Sequence, residues 1–446
     1  MQSLMQGRKS PALRLGRRQV LAGMVAAPAL LTTRAAQAAT DGVSVVDTWY
    51  RLLLELVRHT PIYSPPVASR AFGYLGVILQ ECLAGGPEGL ISLAGQVNGL
   101  TPLPAADGPV DPALTLHSAL SVAAQSLFSH TGPTGQRAMA AMEKNLTAKL
   151  SGTPDPGGAS VARGKAVAAH VLAWADGDGG AEIDNMGFPR QPVTSAKPWE
   201  WVPTSKIAQQ QAPLLPHWGE VRTFTLASAA DCGLPPPPAY SEDPASAFYA
   251  EAKEVYDAGR ALTDEQKAIA RFWSDDPMLS PTPPGHWISI LRQISDRDSL
   301  PLDRQIEALA LLGVAIADSF ICCWQAKYEY NLVRPVTYID RMIDKTWQPL
   351  LNTPPFPEYP SGHSTQSGAA AGILTHLFGE NFAFTDATYN DDDLPARSFA
   401  SFAAAAEEAA ISRLYGGIHF RSAIENGLEQ GACVAAHVAR LKTRAA

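Results

Sequence analysis

Residues 359–368 read YPSGHSTQSG and run on into AAAGILTHLFG, good helix-forming sequence that ends at Gly379. Pro360 precedes the helix and Ser361 is a natural N-cap, so Gly362 and His363 fall in its first turn. A helix start carries unpaired N–H groups and a positive dipole end, and it can hold an oxyanion. Gly362 lets an anion approach the backbone closely, and His363 can move a proton. Two further clusters are of the same kind. KYEYNLVRP places Lys327 and Arg334 seven residues apart, on nearly one face of a continuous helix, with Pro335 ending that helix beyond Arg334. SRLYGGIHF sets Arg413 at one helix end, then a Tyr-Gly-Gly turn, then His419 before the next helix.

Each cluster alone has a plain structural alternative: simple capping, a solvated basic face, a cation at a helix C-terminus, a satisfied core histidine. Together they supply two guanidinium groups, an ammonium, a hydroxyl, a helix-terminal N–H and two imidazoles. That set suits a tetrahedral oxyanion of high charge, because arginine forks match its oxygens bidentately. One histidine can bond the central atom while the other exchanges a proton with an apical oxygen.

The elements that must position these groups are helical. Periodic apolar segments occur at 43–59, from Pro66, and at 112–128, 135–150 and 161–175. Between about 183 and 240 the chain turns rich in Pro and Trp with little period, as an ordered excursion that could cover a site. Helices resume at 244–259 and 263–273, SPTPPGHW breaks the pattern, and a long helix follows at 302–330. Further helical stretches are expected at 337–342, 361–378, 396–413 and 422–440, with almost no strand-like alternation. The fold class expected is all-α, a helical bundle with long ordered loops.

Composition sets the limits. With 446 residues, 46% of them hydrophobic, the chain can bury a large core, and its formal charge of −8 argues against nucleic-acid partners. Residues 1–38 carry six basic side chains and no acidic ones, a run VLAGMVAAPALL, twin arginines Arg17–Arg18, and AQA ending at Ala38. This has the form of a Tat-type export signal, a short amphipathic helix being the alternative; its removal takes the charge from −8 to −14. The expected domains are thus a signal at 1–38 and a helical domain at 39–446, with N-terminal helices and the excursion at 39–300 and the chemistry-bearing bundle at 301–446. The expected location is periplasmic or secreted. Residues 306–320 come nearest to a membrane span but contain Glu307 and Asp318, so no integral membrane association is expected for the mature chain. Five cysteines, odd in number and without C-x-x-C spacing, point to neither a disulfide framework nor a zinc site. His286 and His217 lie in Pro/Trp-rich stretches, as surface or packing residues or as covers of the site.

Lys327…Arg334-Pro335, Pro360-Ser361-Gly362-His363 and Ser412-Arg413…His419, separated by 24 and 48 residues, resemble the three-part signature of the type 2 phosphatidic acid phosphatase and vanadium haloperoxidase superfamily. The segments before it are similar to the soluble bacterial haloperoxidase-like branch. The resemblance implies a helical fold and a cage of Lys327, Arg334, Ser361, Gly362, His363, Arg413 and His419 around vanadate, with phosphate fitting the same place. In a haloperoxidase, His419 is the axial metal ligand, His363 the acid–base for hydrogen peroxide, and halide and a small organic acceptor the other partners. In a soluble acid phosphatase, His419 attacks a phosphomonoester to form a phosphohistidine and His363 protonates the leaving alkoxide. Trp324 and Phe356 resemble the aromatic residues of the chloroperoxidase type and imply a halide pocket, core packing being the alternative. One departure stands out: the pattern His-x3-Asp has Ala423 at its last position, with Glu425 one candidate replacement. That weakens a nucleophilic histidine more than a ligating one, and it leaves room for a non-catalytic oxyanion binder.

Overall fold

A computed structural model describes residues 27–106, 108–183, 197–205 and 212–445. Most of the candidate export signal therefore lies outside the described residues. The chain divides into a short unit ending at Gln37 and a large one from Ala38 to Ala446.

Helices α1 (Ala27–Arg58), α2 (Pro65–Leu83), α3 (Pro112–Leu127), α4 (Pro133–Leu150), α5 (Ala159–Asp176) and the short α6 (Gly180–Ile183) make the N-terminal part. After the excursion come α7 (Ala247–Arg260), α8 (Asp264–Phe272), α9 (Thr282–Asp298), α10 (Leu302–Tyr330), α11 (Pro335–Met342), α12 (Gly362–Phe378), α13 (Phe402–Tyr415) and α14 (Arg421–Val438). A two-stranded antiparallel ribbon, β1 (Phe384–Asp386) and β2 (Arg397–Phe399), is the one sheet among the described residues.

Helix α10 is the axis. It packs on α2 along one side and on α12 and α14 along another. By length and composition it could cross a membrane, but its apolar window is wholly buried within the bundle. Of its two buried carboxylates, Glu307 pairs with Arg304 (2.6 Å) and accepts from the Thr443 hydroxyl (2.6 Å), and Asp318 is satisfied by the N–H groups of Phe224 and Thr225 and by the Thr225 hydroxyl. Helices α12 and α14 meet along small residues. A Cβ at Gly431 would stand 2.2 Å from the Thr365 carbonyl oxygen, and one at Gly427 would stand 2.7 Å from Ser364 Cβ. This close approach places the first turn of α12 against the start of α14, the two segments that carry the histidines.

Four expectations need correction. SPTPPGHW does not interrupt the helices: Thr282–Asp298 is helical, because Pro283 and Pro284 sit in the first turn, where the missing N–H costs nothing. The stretch expected to be helical from 396 begins instead with β2, and its helix starts at Phe402 behind the N-cap Ser401. Arg334 is not at the end of α10. That helix stops at Tyr330, Asn331 caps it in the left-handed region (φ 45), and Arg334 is the extended N-cap of α11, with Pro335 in its first turn. Finally, Cys232 and Cys433 form a disulfide across 201 residues, tying the excursion to α14, while Cys82, Cys322 and Cys323 are buried free thiols.

Between 183 and 240 the described residues hold only two short 3-10 turns after α6, at Trp218–Glu220 and Ala229–Cys232. The segment is pinned to the bundle by backbone bonds from Trp201 to Asn331 (2.8 Å), Val333 to Trp199 (2.8 Å) and Leu214 to Pro355 (2.8 Å). It runs beside the segments that carry Arg334 and Phe356.

Candidate active site

The three motifs, far apart in sequence, converge on one buried place. Lys327, Arg334 and Ser361 are fully buried, and Arg413 and His419 are 3% exposed. Lys327 comes from the last turn of α10, Arg334 from the α11 cap, Ser361 to His363 from the start of α12, and Arg413 from the last turn of α13. His419 follows a turn in which Gly417 has φ 76, a conformation open to glycine.

Arg334 is held rigidly: Nε donates to the Phe356 carbonyl (2.8 Å) and Nη1 to the Ile418 carbonyl (2.9 Å). Nη1 also lies 3.1 Å from His419 Nε2. Arg413 donates through Nη1 to the Trp273 carbonyl at 2.6 Å. Arg334 Nη2 and Arg413 Nε are buried and have no hydrogen-bond partner among the described residues. Lys327 differs: its ammonium donates to the carbonyls of Pro357 (2.9 Å), Glu358 (3.0 Å) and Pro360, which accounts for all three of its N–H groups. Ser361 caps α12, its hydroxyl accepting from the Ser364 N–H at 3.3 Å. The N–H groups of Gly362 and His363, in the first turn, have no intrahelical acceptor.

The replacement for the missing aspartate is Glu358, not Glu425. His419 Nδ1 donates to Glu358 Oε1 at 2.8 Å, and the Phe420 N–H shares that oxygen at 2.8 Å. Glu425 sits 64% exposed near Arg421, and Ala423 is buried, its carbonyl accepting from the Ser361 N–H at 2.9 Å. With Nδ1 protonated toward Glu358, Nε2 of His419 carries the lone pair. Burial, then the charges of Arg334, Lys327 and Arg413, hold this imidazole well below its ordinary pKa, so it is neutral. Burial also pushes Glu358 up to about 8 against the pull of Arg334, and lowers Lys327 to about 7. Arg334 and Arg413 stay charged at neutral pH.

His363 Nε2 lies 3.2 Å from Asp275 Oδ2. Burial and the charge of Arg413 lower it to about 4, against the opposing pull of Asp275. Asp275 belongs to the loop between α8 and α9, and its other oxygen meets His286, which is fully buried in α9 rather than placed on a covering loop. Sequence reasoning missed Asp275 and Glu358 altogether. Glu358 lay five residues before His363, next to the motif; Asp275 had no local signal. His217 is on the surface, paired with Glu220 at 2.6 Å.

Trp324 and Phe356 pack against each other with ring centroids 4.9 Å apart, Trp324 being buried in the main hydrophobic core and Phe356 partly buried at its edge. The Phe356 ring lies under Arg334 (4.9 Å) and Lys327 (5.1 Å), so it borders the cationic cluster directly. The Trp324 N–H is taken by the Leu214 carbonyl at 3.1 Å, which leaves only its ring face to offer.

The family model described as "VCPO second helical-bundle domain" matches residues 307–446. Vanadium chloroperoxidase of Curvularia inaequalis is 29% identical over 153 residues, covering 29% of this chain and 24% of that relative, so the match spans about a quarter of the relative's length. Among solved structures, one described as the first bacterial vanadium-dependent iodoperoxidase superposes with a TM-score of 0.82 at 39% identity, over 90% of this chain and 97% of its own. A holo-type bacterial vanadium-dependent chloroperoxidase matches with a TM-score of 0.66 at 16% identity, over 86% of this chain and 94% of its own, a likeness of fold alone.

Proposed function

This chain belongs to the vanadium-dependent haloperoxidase family, and on that premise we propose that it oxidises halide with hydrogen peroxide on a vanadate bound at His419. The observation that carries the reading is the pair of buried guanidinium groups with unpartnered N–H groups, Arg334 Nη2 and Arg413 Nε, near the neutral His419. Leaving such donors unpaired costs on the order of 1–3 kcal/mol each, more when charged, and an oxyanion removes that cost. The donor set fits vanadate: a lone-pair nitrogen for the metal, guanidinium N–H groups and a helix N-terminus for its oxygens.

Bound vanadate supplies a Lewis-acidic centre that activates hydrogen peroxide for two-electron oxidation of halide to hypohalous acid. Arg334 and Arg413 hold the anion and neutralise its charge; the N–H groups of Gly362 and His363 add the helix dipole. Glu358 fixes the ring of His419 so that Nε2 is the ligating atom. His363 exchanges the proton of the incoming peroxide. Lys327 acts at one remove, holding the 357–360 backbone and adding positive field. Trp324 and Phe356 wall the halide approach. Iodide is the halide we favour, on the 39% identity to the iodoperoxidase structure.

The N-terminal segment directs export in this reading, and the Cys232–Cys433 disulfide supports an oxidising compartment. The test is a metal-stripped preparation divided in two. One part receives orthovanadate, peroxide and chloride, bromide or iodide with a halogenation reporter; the other receives a chromogenic phosphomonoester. Vanadate-dependent halogenation supports the proposal. Hydrolysis that vanadate inhibits, without halogenation, moves the chain to the phosphatases, and silence in both arms leaves an oxyanion binder.

A further inference from the structure

Behind His363 runs a chain of buried ionisable groups that the proposed chemistry does not use. Asp275 Oδ2 faces His363 Nε2 at 3.2 Å, while Asp275 Oδ1 accepts from His286 Nδ1 at 2.9 Å and from the Tyr389 hydroxyl. His286 Nε2 reaches Asp386 Oδ2 at 2.7 Å. The other Asp386 oxygen is closed off by the Thr388 hydroxyl (2.6 Å), the Thr388 N–H (3.0 Å) and Gln293 Nε2 (3.3 Å). Asp275 is 4% exposed, and His286 and Asp386 are fully buried.

Both ring nitrogens of His286 meet carboxylate oxygens, so both must donate and the ring is an imidazolium. Its surroundings suit a cation: Trp273 stacks on it at 4.5 Å and Tyr389 presents an edge at 4.9 Å. Burial alone would lower this imidazole, but Asp275 and Asp386 raise it to about 10. Asp275 is held well below the usual carboxylate range: burial opposes this, and the charge and hydrogen bond of His286 outweigh it. The backbone is bent to aim these groups. Asp275 (φ 50) and Met278 (φ 70) in the loop and Thr282 (φ 61) at the first residue of α9 are left-handed non-glycine residues, each costing on the order of 1 kcal/mol or more.

A fixed carboxylate only accepts, so His363 must carry its hydrogen on Nε2. We propose that Asp275, His286 and Asp386 form a positioning device that locks His363 in the Nε2–H tautomer and makes Nδ1 the atom that takes and returns the proton. The two histidines are then set in opposite senses: Glu358 leaves Nε2 of His419 unprotonated, and Asp275 leaves Nδ1 of His363 unprotonated. The inference rests on the reading of His363 as the acid–base.

The test is a 15N-histidine-labelled preparation of the chain in anion-free buffer at neutral pH, with the His363 signal assigned by its loss in His363→Gln. Long-range 1H–15N spectra are expected to show His363 with protonated Nε2 and bare Nδ1, and one other ring, lost in His286→Gln, protonated on both nitrogens. In His286→Gln, which can donate to only one of the two carboxylates, His363 is expected to become a tautomer mixture. Turnover with vanadate should fall at least about tenfold while vanadate affinity stays within about threefold. Asp386→Asn should give the same changes in smaller measure, and it serves if His286→Gln does not fold. A wild-type His363 carrying its hydrogen on Nδ1, or a tautomer unmoved by both substitutions, overturns the proposal. The expected tautomers without vanadate-dependent turnover in wild type leave the positioning intact and defeat only the functional reading.

Discussion

Glu358→Gln isolates what the carboxylate behind His419 does. In the wild type one oxygen of Glu358 holds both His419 Nδ1 and the Phe420 N–H at 2.8 Å, and the other has no partner among the described residues. The amide keeps an acceptor but loses the charge, and it puts an NH2 group in place of one carboxylate oxygen. Removing a carboxylate that orients a metal-ligating histidine costs about 10- to 100-fold in affinity, or about 1.4 to 2.7 kcal/mol. The pH selects between these limits. Burial pushes Glu358 up to about 8, so at pH 6 the wild-type group is largely protonated and glutamine resembles it. The loss should therefore lie near tenfold at pH 6 and approach a hundredfold above pH 8. Calorimetric titration of the metal-stripped chain with orthovanadate reads this directly, with the thermal unfolding of each variant as the control for folding. If Glu358→Gln and Glu358→Ala both bind within about threefold of wild type at pH 6 and pH 9, Glu358 does not orient the ligand and the reasoning fails.

Other outcomes follow from the same geometry. His363→Ala should reduce turnover by at least about a hundredfold while orthovanadate affinity changes far less, since His363 moves a proton and Arg334, Arg413 and His419 hold the anion. Cys433→Ser, which opens the bridge across 201 residues, should lower the unfolding free energy by about 2–5 kcal/mol in urea titrations and leave anion affinity unchanged. The pH dependence of stability should report His286. Its pKa is raised to about 10 in the folded chain, against about 6.5 unfolded, so its contribution is complete below pH 6.5 and is lost as pH rises toward 10. Denaturation between pH 6 and pH 9.5 should show this decline in wild type and a weaker one in His286→Gln; equal slopes would contradict it.

Much of the site could be read locally. Lys327, Arg334, Ser361, His363, Arg413 and His419 are marked by short spacings next to helix ends, and α10 occupies the span that its apolar pattern predicts, Leu302–Tyr330. What was hidden depends on contacts between distant segments. Glu358 and His419 are 61 residues apart, Asp275 and His363 are 88, and the cysteines 201; none of these pairs has a local periodicity to announce it. Glu425 lies on α14, the same helix as Ala423, whereas the fold brings the carboxylate from the irregular segment before α12. The prolines of α9 resemble a break in the sequence but are not one, because Pro ends a helix in its interior and starts one in its first turn. Arg334 reached the site by a different route from the expected one: the left-handed cap at Asn331 and an extended link replaced a continuous helical face.

A crystal structure of the chain grown with orthovanadate tests the assignment of His419 most directly. The expected result is a vanadate within bonding distance of His419 Nε2, with its oxygens hydrogen-bonded to Arg334 and Arg413 at the N-terminus of α12, and no such density in His419→Ala. Vanadate bound away from His419, or held unchanged in the alanine variant, would contradict it.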